Sequence, residues 1–292
     1  MSATLLDTPE ARTRFIRYTR VDAWSLLRRF PVQAEAQHTL LAEIVGVTLP
    51  SVQALVAAME RSVQDVARQL ASEPPYRDAV AALPLAAGDR LVALGDSITA
   101  DRLGWFEILG ALVRIVREEE VLTSNLAVSG GTTTDLLERL DLLGEEKPTW
   151  VLVMAGTNDV RCHAGRAEYR MVSLRETERN LHSLRRFVVD ELGARLTFLT
   201  PPPIDQARVD SFAHDAKVSW RASDVADIAA LIRRIAPDSL DVHTAFSSGY
   251  SPRADDGEAR LAELLDADGV HLTPAGQIAV AKLVLGYLSG TT

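Results

Sequence analysis

Beyond residue 86 the chain alternates between two patterns, and this alternation restricts its fold more than any other feature. Short apolar runs lie at 90–95, 121–128, 149–155, 194–200 and 239–243. Patterns with helical periodicity follow them, at 104–118, 132–143, 168–192, 215–236 and 274–288. Strands that are separated by helices form βαβ units, whose strands are parallel and whose crossovers are right-handed. The alternation therefore predicts an α/β domain with a parallel sheet.

The first part of the chain has a helical pattern throughout. Residues 10–30 place six arginines between apolar residues, which is typical of an amphipathic helix. Residues 35–70 are also helical in pattern, with a break around Gly46 and Pro50, and 76–83 add a short helical stretch. This part is expected to form helices only.

A connector at 84–88 separates the two patterns. We therefore predict two domains, a small all-α N-terminal domain at 1–86 and the α/β domain at 87–292. Hydrophobic residues make up 47% of the 292 residues, which is enough apolar surface for a sizeable core.

The net charge of −9 comes entirely from the second part of the chain. Residues 1–90 hold ten acidic and ten basic residues, so residues 91–292 carry the whole excess of acid. An acidic surface repels phosphates, and we do not expect it to bind nucleic acid. We interpret the arginines of 10–30 as a solvated face or as partners of the acidic region, rather than as a membrane anchor.

The cysteine and histidine contents argue against several classes of site. Cys162 is the only cysteine, so the sequence offers no internal disulfide and no cysteine-based zinc site. His38, His182, His214 and His243 lack the pair spacing of metal ligands, and we expect no metal. The first ten residues do not resemble a signal peptide, and no apolar run has membrane-spanning length. We therefore expect a cytoplasmic protein without membrane attachment.

One stretch of the N-terminal part has the spacing of a helix-turn-helix, with Ala42, Gly46 and Val52 at the marker positions. The second helix, 51–60, offers only Gln53 to base edges and no basic residue to phosphates. An ordinary helical hairpin fits equally well. We prefer a role in packing or in a homodimer, and we keep DNA binding as an alternative.

Residues suited to one reaction follow the predicted strands and precede the last helix. Ser97 follows the first strand, Gly130 the second and Asn158 the third, while Asp268 and His271 lie in the last loop. A nucleophilic serine needs a base, the base needs an orienting carboxylate, and the oxyanion of acyl transfer needs N–H donors. Because the carboxyl ends of parallel strands open on one crevice, these five residues together predict an acyl-transfer site.

Each of these residues also has a purely structural interpretation. Ser97 fits the N-cap of the next helix, the paired glycines fit a tight turn, and Asn158 fits a turn cap. An Asp-Gly pair before a loop histidine is a common turn. No other part of the chain supplies nucleophile, base, carboxylate and donors together, which favours the catalytic interpretation. The adjacent Cys162 and His163 lack an orienting group, and we interpret them as bystanders.

The stretches that carry these residues resemble the sequence blocks of the SGNH (GDSL) hydrolase family. In chain order they are Gly95-Asp96-Ser97, Ser129-Gly130, Gly156-Thr157-Asn158-Asp159 and Asp268-Gly269-Val270-His271. The resemblance covers roughly residues 88–290. Many members have an acidic residue where this chain has Gly131, and residues 1–86 lie outside the family pattern.

The resemblance implies a flavodoxin-like three-layer α/β/α sandwich with a five-stranded parallel sheet. It also implies a triad of Ser97, His271 and Asp268, with an oxyanion hole formed by the Ser97 N–H, the Gly130 N–H and the Asn158 amide. The expected activity is hydrolysis of a carboxylic ester on a small molecule or a sugar, without a cofactor. The alternatives are an acyltransferase or thioesterase that uses the same residues, or a DNA-binding regulator that acts through 1–86.

Overall fold

The computed structural model of the chain describes residues 6–30, 33–117, 121–164, 166–216, 218–248 and 261–291. The strands are β1 (Arg90–Gly95), β2 (Leu122–Asn125), β3 (Trp150–Met154), β4 (Cys162–His163), β5 (Arg166–Arg170), β6 (Arg195–Leu199) and β7 (Val218–Ser219). The helices before β1 are α1 (Pro9–Tyr18), α2 (Ser25–Arg29), α3 (Ala34–Val45), α4 (Leu49–Ser72) and α5 (Pro74–Ala81). The later helices are α6 (Ser97–Ala100), α7 (Trp105–Val116), α8 (Thr133–Leu137), α9 (Leu140–Glu145), α10 (Leu174–Arg185), α11 (Gln206–Ala216), α12 (Ala222–Ile235), α13 (Val242–Ser247), α14 (Leu261–Leu264) and α15 (Pro274–Ser289).

Four of the strands form a parallel sheet in the order β2-β1-β3-β6. The chain therefore leaves β1 on one side to form β2 and returns to the other side to form β3. In open α/β sheets, ligands bind at the carboxyl ends of the strands where the order reverses in this way. The order places that crevice at the end of β1, as the sequence predicts.

Alternate residues of the central strands enter two separate cores. Leu91 and Ala93 of β1 belong to one core with α4, α5, α7 and α15, while Val92 and Leu94 belong to the other with α10 and α12. This follows from the two-residue period of a strand, whose side chains point to opposite faces in turn. Helices therefore cover both faces of the sheet.

The described residues form four parallel strands rather than the five expected. The run at 239–243 contributes only an isolated parallel bridge, between Leu240 and Leu199. Asp241 ends this run because its side chain accepts a hydrogen bond from the Thr244 N–H and caps α13. The apolar composition of a short run does not show where a side-chain cap will end it.

Two predicted helices begin later than expected. The pattern at 168–192 becomes helical only at Leu174, because 166–170 pair with β4 as an antiparallel strand. The pattern at 215–236 begins with the end of α11 and becomes helical again only at Ala222, because β7 pairs with the other side of β4. Both differences come from a three-stranded antiparallel sheet, β5-β4-β7, in which β5 directly follows β4 along the chain and only β7 comes from a distant part of the sequence.

The predicted helix at 10–30 is broken, since α1 ends at Tyr18 and α2 begins at Ser25. The break predicted at Gly46 is confirmed, because Gly46 adopts a left-handed conformation with φ of 67° between α3 and α4. Pro50 lies inside the first turn of α4, where proline is tolerated. The segment 201–214, which lies between predicted elements, contains most of α11, and most of the segment 244–258 lies outside the described residues.

Within the part of the chain that the structure describes, no single helix is long and apolar enough to cross a membrane. The pair α3 and α4, bent by 107°, meets that criterion only when its helices are taken together. Residues of α4 and α5, among them Val63, Leu70 and Tyr76, share a core with β1 and α15. The division into domains at residue 86 and the homodimer stay predictions.

The N-terminal arginines bind acidic residues of the α/β region, which confirms that they are its partners. Arg20 pairs with Glu107, and Arg29 pairs with both Glu138 and Asp141. Arg28 also forms an ion pair, with Glu146. Arginines of the N-terminal part, whose own charge is balanced, thus neutralise some of the excess acidic residues of the α/β region.

The most buried of these ion pairs joins Arg17 of α1 to Asp101. The guanidinium donates to both carboxylate oxygens, from Nε at 2.7 Å and from Nη2 at 2.5 Å, and the Asp101 side chain is fully buried. Asp101 also accepts from the Leu103 N–H at 2.9 Å and from Nε2 of Gln277 at 3.0 Å. This carboxylate therefore joins α1, the segment after α6 and helix α15.

Arg17→Ala should lower the free energy of unfolding by about 3 kcal/mol, because it leaves the Asp101 carboxylate buried without its cation. Urea denaturation at neutral pH measures this change. The control is Arg68→Ala, since the ion pair of Arg68 with Asp65 is 61% and 71% exposed and should contribute little. Equal stability of the two variants would contradict the structural role assigned to Arg17.

Candidate active site

Ser97 stands at the carboxyl end of β1, in the first position of α6. The N-cap of this short helix is Asp96, whose Oδ1 accepts from the Ile98 N–H at 3.0 Å. The capping role considered for Ser97 therefore belongs to its neighbour. The Ser97 hydroxyl instead lies 2.8 Å from Nε2 of His271, although the two residues are 174 positions apart.

Gly95 allows the chain to turn at this point. A Cβ atom here would lie 2.4 Å from the carbonyl oxygen of Met154 and 2.7 Å from the Thr99 hydroxyl, closer than real Cβ contacts allow. The close packing of β1 against β3 therefore requires glycine immediately before Asp96 and Ser97.

Asp268 and His271 occupy a tight loop before α15. Oδ1 of Asp268 accepts from the N–H groups of Val270 and His271, each at 2.9 Å, and Oδ2 lies 2.5 Å from Nδ1 of His271. Gly269 adopts φ of 73° within this loop. Thr273 caps α15 by accepting from the Gly276 N–H. These bonds fix the imidazole with Nε2 facing Ser97.

The side chain of Asp268 is 4% exposed, and burial by itself would raise its pKa. The hydrogen bond from His271 and the positive charges of His271 and Arg14 outweigh burial and hold the pKa of Asp268 well below its usual range. This carboxylate is therefore ionised at neutral pH and can stabilise a positively charged imidazole.

The turn after β2 presents the donor predicted at Gly130. Gly130 has φ of 79°, which favours glycine. The Gly131 N–H donates to the carbonyl oxygen of Val128 at 2.9 Å, whereas the Gly130 N–H has no acceptor among the described residues. Of the two glycines, Gly130 is the one whose N–H is available to a ligand.

Asn158 reaches the same turn from the end of β3. Its Nδ2 donates to the carbonyl oxygen of Gly131 at 3.3 Å, and its Oδ1 accepts from Nη1 of Arg161 at 3.2 Å. These two bonds orient the amide so that its N–H₂ group faces the Gly130–Gly131 turn. The structure thus brings the Asn158 amide beside the available N–H of Gly130.

Asp159, the residue after Asn158, binds two neighbouring segments through its buried carboxylate. Its carboxylate accepts from the Thr133 N–H at 2.9 Å, from the Thr133 hydroxyl at 2.5 Å and from the Thr177 hydroxyl at 2.8 Å. Burial raises the pKa of Asp159, and these hydrogen bonds oppose that effect. Asp159 thus joins the segment after β3 to α8 and α10.

Three residues near the site have no counterpart in the predictions. Arg14 and Tyr18 of α1 contact the Asp268–His271 loop, and Arg161 orients Asn158. Arg161 could have been suspected because it follows Asn158 by three positions. No local pattern points to Arg14 or Tyr18, because their contacts join parts of the chain more than 250 residues apart.

Cys162 and His163 make other contacts than a catalytic pair would. The Cys162 thiol lies 3.5 Å from the carbonyl oxygen of Val160, and Nε2 of His163 accepts from Nε of Arg161 at 3.2 Å. Among the described residues, no three His, Cys, Asp or Glu side chains are grouped closely enough to hold a metal ion.

Asp96→Asn should change stability in a pH-dependent way. Asp96 is 1% exposed, and burial raises its pKa from 3.8 to about 6. The protonated carboxyl therefore favours the folded state below pH 3.8, and this contribution is lost as pH rises through about 6. Asparagine keeps an acceptor for the Ile98 N–H and does not ionise.

The free energy of unfolding of Asp96→Asn should consequently rise, relative to the unsubstituted protein, by up to about 3 kcal/mol between pH 4 and pH 8. Urea denaturation across this range measures the difference between the two proteins. A difference that stays constant with pH would contradict the burial effect on this carboxyl.

Comparisons with known proteins identify the family of this chain. Residues 93–279 match the GDSL-like lipase/acylhydrolase family. Among solved structures, the lipase/acylhydrolase from Enterococcus faecalis is 22% identical, with a TM-score of 0.55 over 69% of this chain and 96% of that chain. A variant of an acetyl-xylooligosaccharide esterase from Geobacillus is 25% identical, with a TM-score of 0.53 over 70% of this chain and 95% of that chain. Curated protein sequences give no significant match.

The family match spans more than half of the chain and contains Ser97, Gly130, Asn158, Asp268 and His271. The helical region before β1 precedes it. On this ground the chain belongs to the GDSL-like lipase/acylhydrolase (SGNH) family of carboxylic ester hydrolases.

Proposed function

We propose that the protein hydrolyses carboxylic esters with Ser97 as nucleophile, His271 as general base and Asp268 as the carboxylate that orients the base. The observation that supports this proposal is the continuous chain of hydrogen bonds, 2.8 Å between Ser97 and His271 and 2.5 Å between His271 and Asp268. Nucleophile, base and orienting group need contacts of this length.

In the first half-reaction, Nε2 of His271 accepts the proton of the Ser97 hydroxyl while Oγ attacks the ester carbonyl carbon. The electron pair of the carbonyl moves to its oxygen, which accepts hydrogen bonds from the Ser97 N–H, the Gly130 N–H and Nδ2 of Asn158. The bond to the alcohol oxygen then breaks, and the alcohol leaves with the proton from His271. An acyl group remains on Ser97.

In the second half-reaction, water attacks the acyl carbon and gives a proton to His271. The same three donors stabilise the second oxyanion. The bond to Oγ of Ser97 breaks, the serine regains its proton from the imidazole, and a carboxylic acid is released. Asp268 stays ionised throughout and stabilises the imidazolium of both steps.

The proposed substrate is an ester on a small molecule or a sugar. Support comes from the structurally similar esterase of acetylated xylooligosaccharides, which is 25% identical. An acyltransferase or thioesterase would use the same residues, and analysis of products with an added alcohol acceptor distinguishes it from a hydrolase. The alternative of DNA binding through residues 1–86 has little support, because no basic residue precedes Arg61 in α4. The helical hairpin therefore offers little positive charge to the phosphates of DNA.

The experiment that tests the proposal measures hydrolysis of p-nitrophenyl acetate and of longer p-nitrophenyl esters by the unsubstituted protein and by Ser97→Ala. We expect turnover by the first and loss of at least about a thousandfold in the second, since the nucleophile is absent. Thermal unfolding controls for correct folding. A folded Ser97→Ala variant with unchanged activity would end the proposal.

Asn158→Ala should lower turnover of an activated ester about 10²–10³-fold, because it removes one oxyanion donor. The KM should change less, since the donor acts mainly in the transition state. Initial rates over a range of ester concentrations measure both constants. Wild-type turnover in this variant would exclude Asn158 from the oxyanion hole.

A further inference from the structure

Helix α1, which lies outside the region that matches the family, is placed directly against the proposed catalytic loop. The ring of Tyr18 packs against the imidazole of His271, with ring centroids 4.5 Å apart, and Tyr18 is 5% exposed. Arg17 donates to the carbonyl oxygen of Leu272 at 3.3 Å. These contacts, with the buried Arg17–Asp101 pair, hold α1 in one place relative to His271.

From this position Arg14 reaches the carboxylate of the proposed triad. Its Nη2 donates to Oδ2 of Asp268 and lies 3.4 Å from Nδ1 of His271. Oδ1 of Asp268 is already occupied by two backbone N–H groups. Arg14 and His271 therefore share a single carboxylate oxygen.

The charge of Arg14 must affect the imidazole. A carboxylate favours the positively charged form of a neighbouring histidine, whereas a cation at this distance disfavours it. The Arg14 side chain is 36% exposed, so solvent weakens its field, but the Asp268 side chain between the two is 4% exposed. The cation thus offsets part of the effect of the carboxylate on His271.

We propose that Arg14 is a positioning residue of the triad, which binds Asp268 and thereby sets how readily His271 accepts the proton of Ser97. This inference rests on the proposed hydrolytic function. On this proposal, Arg14 of the N-terminal helix sets the lower pH limit of activity. The reason is that a nearby cation disfavours protonation of the His271 imidazole, which must be neutral to act as a base.

Other ionisable groups also face His271 and must be considered. Asp96 directly precedes Ser97; burial raises its pKa to about 6, and a positive charge on His271 opposes this rise. Tyr18 stays neutral because burial raises the pKa of its phenol. Arg17 of α1 is a further charged group near the loop, since it donates to the carbonyl oxygen of Leu272. Asp266 is another, because its N–H donates to the carbonyl oxygen of His271. All of these groups are kept in the variants proposed below, so differences between variants report on Arg14.

The test compares the pH dependence of kcat/KM for p-nitrophenyl acetate in the unsubstituted protein, Arg14→Gln and Arg14→Lys. Removal of the cation should move the acid limb to higher pH by about one unit, because the imidazole then takes up a proton more easily. Lysine keeps the charge and should keep the acid limb. Arg14→Met, which retains the apolar stem, replaces the glutamine variant if the latter does not fold.

The matched control is Arg29→Gln. Arg29 also belongs to the N-terminal segment and also forms ion pairs with the α/β region, but its partners Glu138 and Asp141 lie just before α9 and on it. If Arg14 acts through Asp268, the acid limb of Arg29→Gln should coincide with that of the unsubstituted protein. An equal shift in both variants would mean that general docking of the segment is responsible, and would overturn the proposal.

A second measurement separates this inference from the proposed function. The titration of the His271 ring followed by NMR needs no substrate, and its midpoint should move to higher pH in Arg14→Gln. If the unsubstituted protein hydrolyses esters and Ser97→Ala does not, but neither the acid limb nor the His271 midpoint moves, Arg14 is only a surface ion pair. If no ester is hydrolysed, the proposed function fails, and the NMR midpoint alone decides the role of Arg14.

Discussion

The contact between the Ser97 hydroxyl and the His271 imidazole is the one on which the rest of the site depends, and it must be held from both ends. Ser97 is held by β1 and by the cap that Asp96 provides. His271 is held by its loop and by the start of α15. A shift of about an ångström at either end would separate the proposed base from the proposed nucleophile.

Gln277 of α15 joins these two ends behind the site. It is fully buried, its Oε1 accepts from the Trp105 N–H at 2.9 Å, and its Nε2 donates to the carbonyl oxygen of Ile98 and to Asp101. The helix that follows His271 is therefore bonded to the helix that starts at Ser97. Because Asp101 also binds Arg17, the N-terminal helix is part of the same buried network. Such a network positions groups well only when every member is satisfied, as Asp101 is here.

The elements that were predicted correctly are those whose signal is local. The apolar runs of β1 and β3 are buried on both faces, so their composition alone distinguishes them. The break at Gly46 is local in the same way, because glycine adopts the left-handed conformation that ends α3. The elements that were missed are set by strand pairing or by a side-chain cap: β5 is a strand because it pairs with β4, and the run near Leu240 is cut short by the cap that Asp241 provides to α13. Periodicity within a short window cannot contain that information.

The sequence by itself determined the α/β class, and it predicted the candidate residues Ser97, Gly130, Asn158, Asp268 and His271, each from a local pattern and from the chemistry of acyl transfer. Only the tertiary structure decided what surrounds them. It assigned the helix cap to Asp96, left the Gly130 N–H available rather than that of Gly131, and brought Arg14 and Tyr18 to the Asp268–His271 loop. The physical reason is that an arginine on an amphipathic helix has the same local pattern whether it faces water or a carboxylate 254 residues away.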